Sequence, residues 1–245
     1  MDSVELLRLR HAHIIAPSEH QFVQGMRADL NVVDNLNQYM KMRIAKAKKV
    51  RVLTEHGGSL ELKISPVEKF VCLSGQVRTE LPESLPSGGI VVCPTRADGT
   101  FVLDRSPLNA TPEEREALED NPLRLELRRS RLMSIEGGCG DLAKRTEVML
   151  RSGINTEFMG CIVIGTNYAV QGRSPDTTQA ECIVPGVSLC FGMHPCAKPV
   201  MVRWSADGYY NVAASKTSLD LDGELVIENG LYKPHILKAV GVPLN

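Results

Sequence analysis

Apolar residues recur at spacings of three and four between residues 33 and 48, and this pattern predicts an amphipathic helix. Lys and Arg collect at its C-terminal end, where they suit the helix dipole. Thr111 followed by Pro112 and acidic residues predicts a second, short helix with Thr111 as its N-cap. Residues 141–152 return to helical spacing.

Most other apolar segments have the length of strands and are separated by turns that contain Gly or Pro. Asp222-Gly223 is the strongest two-residue hairpin signal in the chain. This pattern predicts one α+β domain, mainly antiparallel sheet with few helices. The predicted strand segments are residues 50–54, 59–64, 70–73, 90–92, 100–103, 123–135, 158–164, 187–191, 200–204 and 219–227.

Composition narrows the class of protein. The 245 residues carry 28 basic and 29 acidic side chains, a balance that speaks against nucleic acid or an anionic membrane as partner. No apolar run is long enough to span a bilayer, and residues 1–10 mix acids and bases, unlike a secretory signal. The seven Cys are not arranged in C-x-x-C pairs. We therefore expect a cytoplasmic protein whose thiols are mostly free and buried.

The standard nucleotide-binding, zinc-protease and hydrolase motifs are missing from the sequence. The remaining candidate catalytic residues lie near the C-terminus. Cys161, Cys190, His194, Cys196 and Asp207 lie within 47 residues. A Cys with a nearby His can form an activated nucleophile, and the same side chains can bind a metal. They can also be structural residues, and the spacing does not decide among the three.

Four stretches resemble, in order, the catalytic half of the thermophilic-type metalloaminopeptidases (the aminopeptidase T and aminopeptidase S group). That group shares its fold with 2,5-dihydroxypyridine 5,6-dioxygenases. The resemblance implies an aminopeptidase T C-terminal-domain-like fold over residues 27–245, an N-terminal extension over residues 1–26, and a homo-oligomer. The stretches are residues 85–94 (LPSGGIVVCP), 159–167 (MGCIVIGTN), 187–192 (VSLCFG) and 205–230, which begins SADG.

The resemblance also implies two divalent cations, but this chain lacks most of their ligands. The ligand positions hold Gly89, Cys161, Ser188 and Ser205, and only Asp207 is retained. One carboxylate cannot hold two hydrated dications. We therefore predict no metal and no cofactor, with a rebuilt mononuclear site from Cys161, His194 and Asp207 as an alternative.

The leading hypothesis is a metal-independent enzyme that acts on a small molecule by hydrolysis or transfer at an amide or other activated carbonyl. Cys161 is the predicted nucleophile, and His194 or Asp207 the base, with the pKa of Asp207 raised by desolvation. Two alternatives remain: a metalloenzyme (aminopeptidase or ring-cleaving dioxygenase) with a rearranged site, and a non-catalytic binding or structural protein. The predicted substrate-binding residues are Gly89, Thr166, Asn167, Ser188, Ser205 and Tyr209.

Overall fold

A computed structural model describes residues 11–14, 19–77, 83–105, 110–172 and 183–242. Within these ranges the chain forms five helices: α1 Glu19–Gly25, α2 Leu30–Lys46, α3 Pro112–Ala117, α4 Leu142–Leu150 and α5 Pro234–Ala239. It also forms fifteen strands: β1 Ala12–Ile14, β2 Val50–Thr54, β3 Ser59–Lys63, β4 Val71–Leu73, β5 Glu83–Leu85, β6 Gly89–Val92, β7 Arg96–Leu103, β8 Leu123–Arg128, β9 Arg131–Glu136, β10 Met159–Gly165, β11 Gly186–Gly192, β12 Tyr209–Ala213, β13 Thr217–Leu221, β14 Glu224–Glu228 and β15 Leu231–Tyr232.

The strands form two large antiparallel sheets, which confirms the predicted fold class. The larger sheet has eight strands in the order β15-β14-β13-β2-β3-β7-β8-β9. The smaller sheet has five, in the order β12-β11-β10-β6-β4. A separate parallel pair joins β1 to β5.

The three central strands of the five-stranded sheet, β6, β10 and β11, are buried on both faces, which explains why they are mainly apolar rather than alternating. One face, with Ile90, Ile162 and Leu189, joins the main core. Helix α2 adds its apolar stripe to that core and packs on β4 and β6. The opposite face, with Val91 and Cys161, forms a smaller cluster of its own.

Several local predictions are confirmed. The long helix is present with slightly earlier bounds, and Asp29 caps it by accepting from the Asn31 N–H. Thr111 caps α3 within a complete capping box. Asp222 and Gly223 form the turn between β13 and β14 with φ values of 56° and 94°, as a tight hairpin turn requires.

The strand predicted for residues 200–204 is wrong. This segment has no regular structure, because the carboxylate of Glu68 accepts hydrogen bonds from the backbone N–H groups of Val200 (2.7 Å) and Met201 (3.1 Å). A buried acid therefore takes the donors that a neighbouring strand would use.

The described part of the predicted N-terminal extension contacts the rest of the chain through β1 and through α1. The Gly25 carbonyl at the end of α1 accepts from the side chain of Asn167. Among the helices in the described ranges, none combines the length and apolarity needed to cross a membrane.

Candidate functional site

Four of the predicted site residues share one face of the five-stranded sheet. Directly opposed residues of antiparallel strands point to the same side. Cys161 opposes Cys190, Ser188 opposes Val163, and Gly89 opposes Gly165. Tyr209, at the start of β12, packs against this face, while Tyr210 packs on the main core, as strand alternation predicts.

This face is a mainly apolar layer rather than an open polar pocket. Its buried apolar members are two valines and three cysteines, and a segment from β11 to residue 202 covers them. Thiols in such surroundings behave as small hydrophobic groups. Two polar residues, Ser188 and Asn211, are also buried on this face. The buried apolar members are Val91, Cys93, Cys161, Val163 and Cys190, and the covering side chains include Met193, Cys196, Ala197 and Val202.

Cys161, the predicted nucleophile, is completely buried. A hydrogen bond from its thiol to Cys190, together with burial, raises the pKa of Cys161 well above its ordinary value, and a backbone N–H bond from His194 opposes this only in part. Burial also raises the pKa of the neighbouring Cys93 to about 12. The structure therefore favours the neutral thiol at Cys161, whereas nucleophilic attack requires the thiolate.

His194 lies over the same face but is not joined to the Cys161 thiol through its ring. Its Nδ1 accepts a hydrogen bond from the Cys196 backbone N–H (3.1 Å), and its ring meets Tyr209 edge-on at 5.3 Å. Burial lowers the pKa of His194. The imidazole is therefore held neutral, with Nδ1 occupied by a structural contact and the proton on Nε2.

Asp207 and Ser205 lie outside the sheet and are exposed. The Asp207 carboxylate lies against Gly153, whose missing side chain leaves the necessary space. The Ser205 carbonyl accepts from Asn155 (2.7 Å). The burial expected for Asp207 is wrong, because its side chain is exposed. The predicted pocket of Cys161, Ser188, Ser205 and Asp207 is therefore divided between a buried face and the surface.

Thr166 and Asn167, predicted to bind substrate, are completely buried and hold elements together. The Thr166 hydroxyl donates to Asn37 Oδ1 of α2 (2.6 Å). The Asn167 amide donates to the carbonyls of Gly25 (3.0 Å) and Ser87 (2.7 Å). These contacts use the donors that a substrate would need.

The residues on this face do not fit the cations that the resemblance implies. Valine side chains and protonated thiols offer no oxygen ligand, and the Ser188 hydroxyl offers only a neutral one. A hydrated dication among them would lose its water without adequate replacement. Nor do Cys161, His194 and Asp207 converge, since no metal-like cluster in the described ranges includes them.

One group with the spacing of metal ligands does occur in the described ranges: Glu55, His56 and Asp104, whose ligand atoms lie within 4.8 Å of one another. Asp104 is buried and already accepts from the N–H and hydroxyl of Ser215. The Lys216 ammonium binds Glu55 at 2.8 Å. The Lys216 ammonium therefore already supplies positive charge to this group. The sequence pattern does not indicate this group, because Asp104 and Ser215 are remote in sequence from Glu55 and His56.

Comparison with known proteins supports the fold. No protein-family model matches the chain, and no curated protein sequence does. Among solved structures, the chain is similar to a 2,5-dihydroxypyridine dioxygenase from Pseudomonas putida, with a TM-score of 0.66 and 14% identity over 94% of this chain and 68% of that one. It is also similar to AmpT from Thermus thermophilus, with a TM-score of 0.57 and 11% identity over 85% of this chain and 56% of that one. At these identities the likeness establishes a shared fold.

Proposed function

We propose that this chain is a non-catalytic binding protein built on the fold that it shares with the dioxygenase and AmpT. The observation that carries the proposal is the state of the Cys161 thiol. It is fully buried, it is hydrogen-bonded to Cys190, and its pKa is raised. A thiol in this state contributes to packing and is a poor nucleophile. Under this proposal, the sheet face around Cys161 stabilises the protein, and surface residues bind the ligand.

Thiol labelling tests this proposal directly. The folded protein is treated with iodoacetamide at neutral pH, and each cysteine is assigned by peptide mass spectrometry. We expect Cys161, Cys93 and Cys190 to react only after unfolding in urea, because all three are buried. Cys139 and Cys72, which are partly exposed, are the matched controls and react first. Labelling of Cys161 in folded protein ahead of Cys139 would contradict the proposal and favour the thiol enzyme.

A metalloenzyme is the second candidate, and the fold-level likeness to the dioxygenase and AmpT favours it. Elemental analysis of the purified, dialysed chain distinguishes it from the first candidate. A metalloenzyme should retain one equivalent of a transition metal after dialysis. Loss of that metal in His56→Gln or Asp104→Asn, but not in Cys161→Ala, would assign it to the Glu55, His56 and Asp104 group and support the second candidate. Less than a tenth of an equivalent would support the first.

A further inference from the structure

Three arginines surround a cavity of about 440 Å³ at the end of the β8–β9 hairpin. Arg128, Arg129 and Arg131 line it together with Met133 and Phe158. The volume falls within the range of small-molecule sites. The chain carries a net charge of −1, so this concentration of positive charge is local rather than a property of the whole surface.

The turn that carries these arginines is held in place by the neighbouring strand and by β10. Arg129 and Ser130 adopt positive φ values of 51° and 63°, and the Arg129 N–H donates to Asp98 (2.9 Å). Ser130 exchanges hydrogen bonds with Ala97 through its N–H (2.8 Å) and its hydroxyl (2.9 Å). The Met159 N–H donates to the Ser130 carbonyl (2.7 Å). The guanidinium groups are therefore presented from an ordered backbone, which lowers the entropic cost of binding.

The three guanidinium groups outnumber their acidic partners in the described part of the chain. Arg131 lies 3.6 Å from Glu157. Asp98 is paired with Arg96, and its charge also attracts Arg129. No hydrogen bond or ion pair to a described residue engages the side chain of Arg128. Adjacent guanidinium groups repel one another, and an anion between them relieves that repulsion with charge-assisted hydrogen bonds.

The remaining wall of the cavity is aromatic and apolar. The Arg131 guanidinium lies over the Phe158 ring at 5.7 Å, and Phe158 contacts Trp204 with ring centroids 5.6 Å apart. Met133 is 47% exposed here, although it is a large apolar residue. Aromatic rings and a thioether next to guanidinium groups favour a flat ligand that stacks on one side and carries negative charge on the other.

We propose that this cavity binds a small organic anion that combines a planar aromatic group with a carboxylate or phosphate. Arg128 and Arg129 hold the anionic group, and Phe158 with the Arg131 guanidinium stacks on the ring. This inference rests on the proposed binding role, but the two fail separately. Thiol labelling and metal analysis decide whether the chain is catalytic, whereas titrations decide whether this cavity binds aromatic anions.

The chain provides its own reporter, because Trp204 is its single tryptophan and contacts Phe158. Titration of full-length protein with benzoate and with phenyl phosphate, followed by tryptophan fluorescence, distinguishes a carboxylate from a phosphate preference. We expect saturable binding of at least one of them with a Kd of roughly millimolar or tighter. Acetate, inorganic phosphate and benzyl alcohol, which each lack one half of the ligand, bind at least about fivefold more weakly.

Variants locate the response. Arg128→Gln weakens binding by about three- to tenfold, since it removes a charge-assisted contact at a partly solvated site. Arg131→Gln weakens binding by a similar factor, because it removes the guanidinium that stacks on the ligand ring. Arg124→Gln is the matched control: it lies on the same strand, is exposed and removes the same charge outside the cavity, so its affinity stays within about twofold of the original. Because these side chains are exposed, we expect all three variants to fold.

Three results would overturn the inference. One is the absence of a saturable fluorescence change with both aromatic anions below about 20 mM. Another is equal weakening by Arg124→Gln and Arg128→Gln, which would indicate a diffuse charge effect. The third is a change in oligomeric state, seen by sedimentation, on Arg128→Gln, which would assign the cavity to contact between two copies of the chain.

Discussion

Replacing Asn167 with Ala separates a structural role from the predicted substrate-binding role. The Asn167 side chain is fully buried and donates to the carbonyls of Gly25 and Ser87, and its oxygen accepts from the Ala169 N–H (3.3 Å). Asn167 therefore joins the end of α1, the segment before β6 and the turn after β10. Truncation removes all three contacts at once.

The loss of stability expected for Asn167→Ala follows from these three hydrogen bonds. Each buried hydrogen bond contributes about 1 kcal/mol net, and a buried carbonyl left without a donor costs about 1–3 kcal/mol. Some carbonyls will regain a partner through relaxation or water, so we expect Asn167→Ala to lower the free energy of unfolding by about 2–4 kcal/mol. For a chain of this length, that corresponds to a fall in Tm of roughly 5–15 °C.

Urea unfolding followed by circular dichroism measures this change. The midpoint should fall while the slope of the transition stays the same, which is the signature of altered stability alone. Asn31→Ala is the matched control, because Asn31 is exposed and its oxygen only accepts from Gln76; its effect should stay within about 0.5 kcal/mol. A variant as stable as the original chain that nevertheless loses ligand binding would refute the structural interpretation.

Three further predictions concern neighbouring contacts. A double-mutant cycle of Thr166→Val and Asn37→Ala should give a coupling of about 1 kcal/mol in urea unfolding, and additive effects would contradict their hydrogen bond. Because burial holds the pKa of His194 below its ordinary value, protonation of His194 favours the unfolded state. The stability that the neutral imidazole contributes is complete above about pH 6.5 and is lost as the pH falls toward the folded-state pKa. His194→Asn should therefore reduce the fall of the unfolding midpoint between about pH 6.5 and 5, and an unchanged dependence of the midpoint on pH would contradict this reasoning. Gly165→Ala should cost at least about 2 kcal/mol, because its Cβ would overlap a backbone carbonyl, whereas Gly208→Ala has space and should be near neutral; equal effects would refute this packing argument.

The elements predicted correctly are those specified by nearby residues. Helix α2 follows from apolar spacing and its cap, and the β13–β14 hairpin from Asp222-Gly223. Long-range pairing was not predictable in this way, because nothing in the sequence of β10 specifies that it lies between β6 and β11. The wrong strand at residues 200–204 has the same origin: Glu68, far away in sequence, binds its N–H groups.

The candidate site shows the same division. The order of motifs implied that Gly89, Cys161 and Ser188 are neighbours, and the register places them on one face. Whether that face is open depends on the segment that contains Met193 and Val202, which covers it in the structure. The arginines of the β8–β9 turn were not predicted as a site, although three Arg within residues 128–131 are a visible signal in the sequence.

The side chains on the Cys161 face explain how this part of the sheet is stabilised. Carboxylates gathered at one site repel one another unless cations neutralise them, whereas Gly89, Ser188 and Cys161 carry no such charge. At Cys161 the side chain also adds apolar contact, since the thiol packs with Val91, Val163 and Cys190. Burial of this kind stabilises a sheet only if water and ions are excluded, so the packing that stabilises the face also leaves little room for a ligand there. The proposed binding role therefore turns to the arginines of the β8–β9 turn, which lie in the other sheet and are exposed around a cavity.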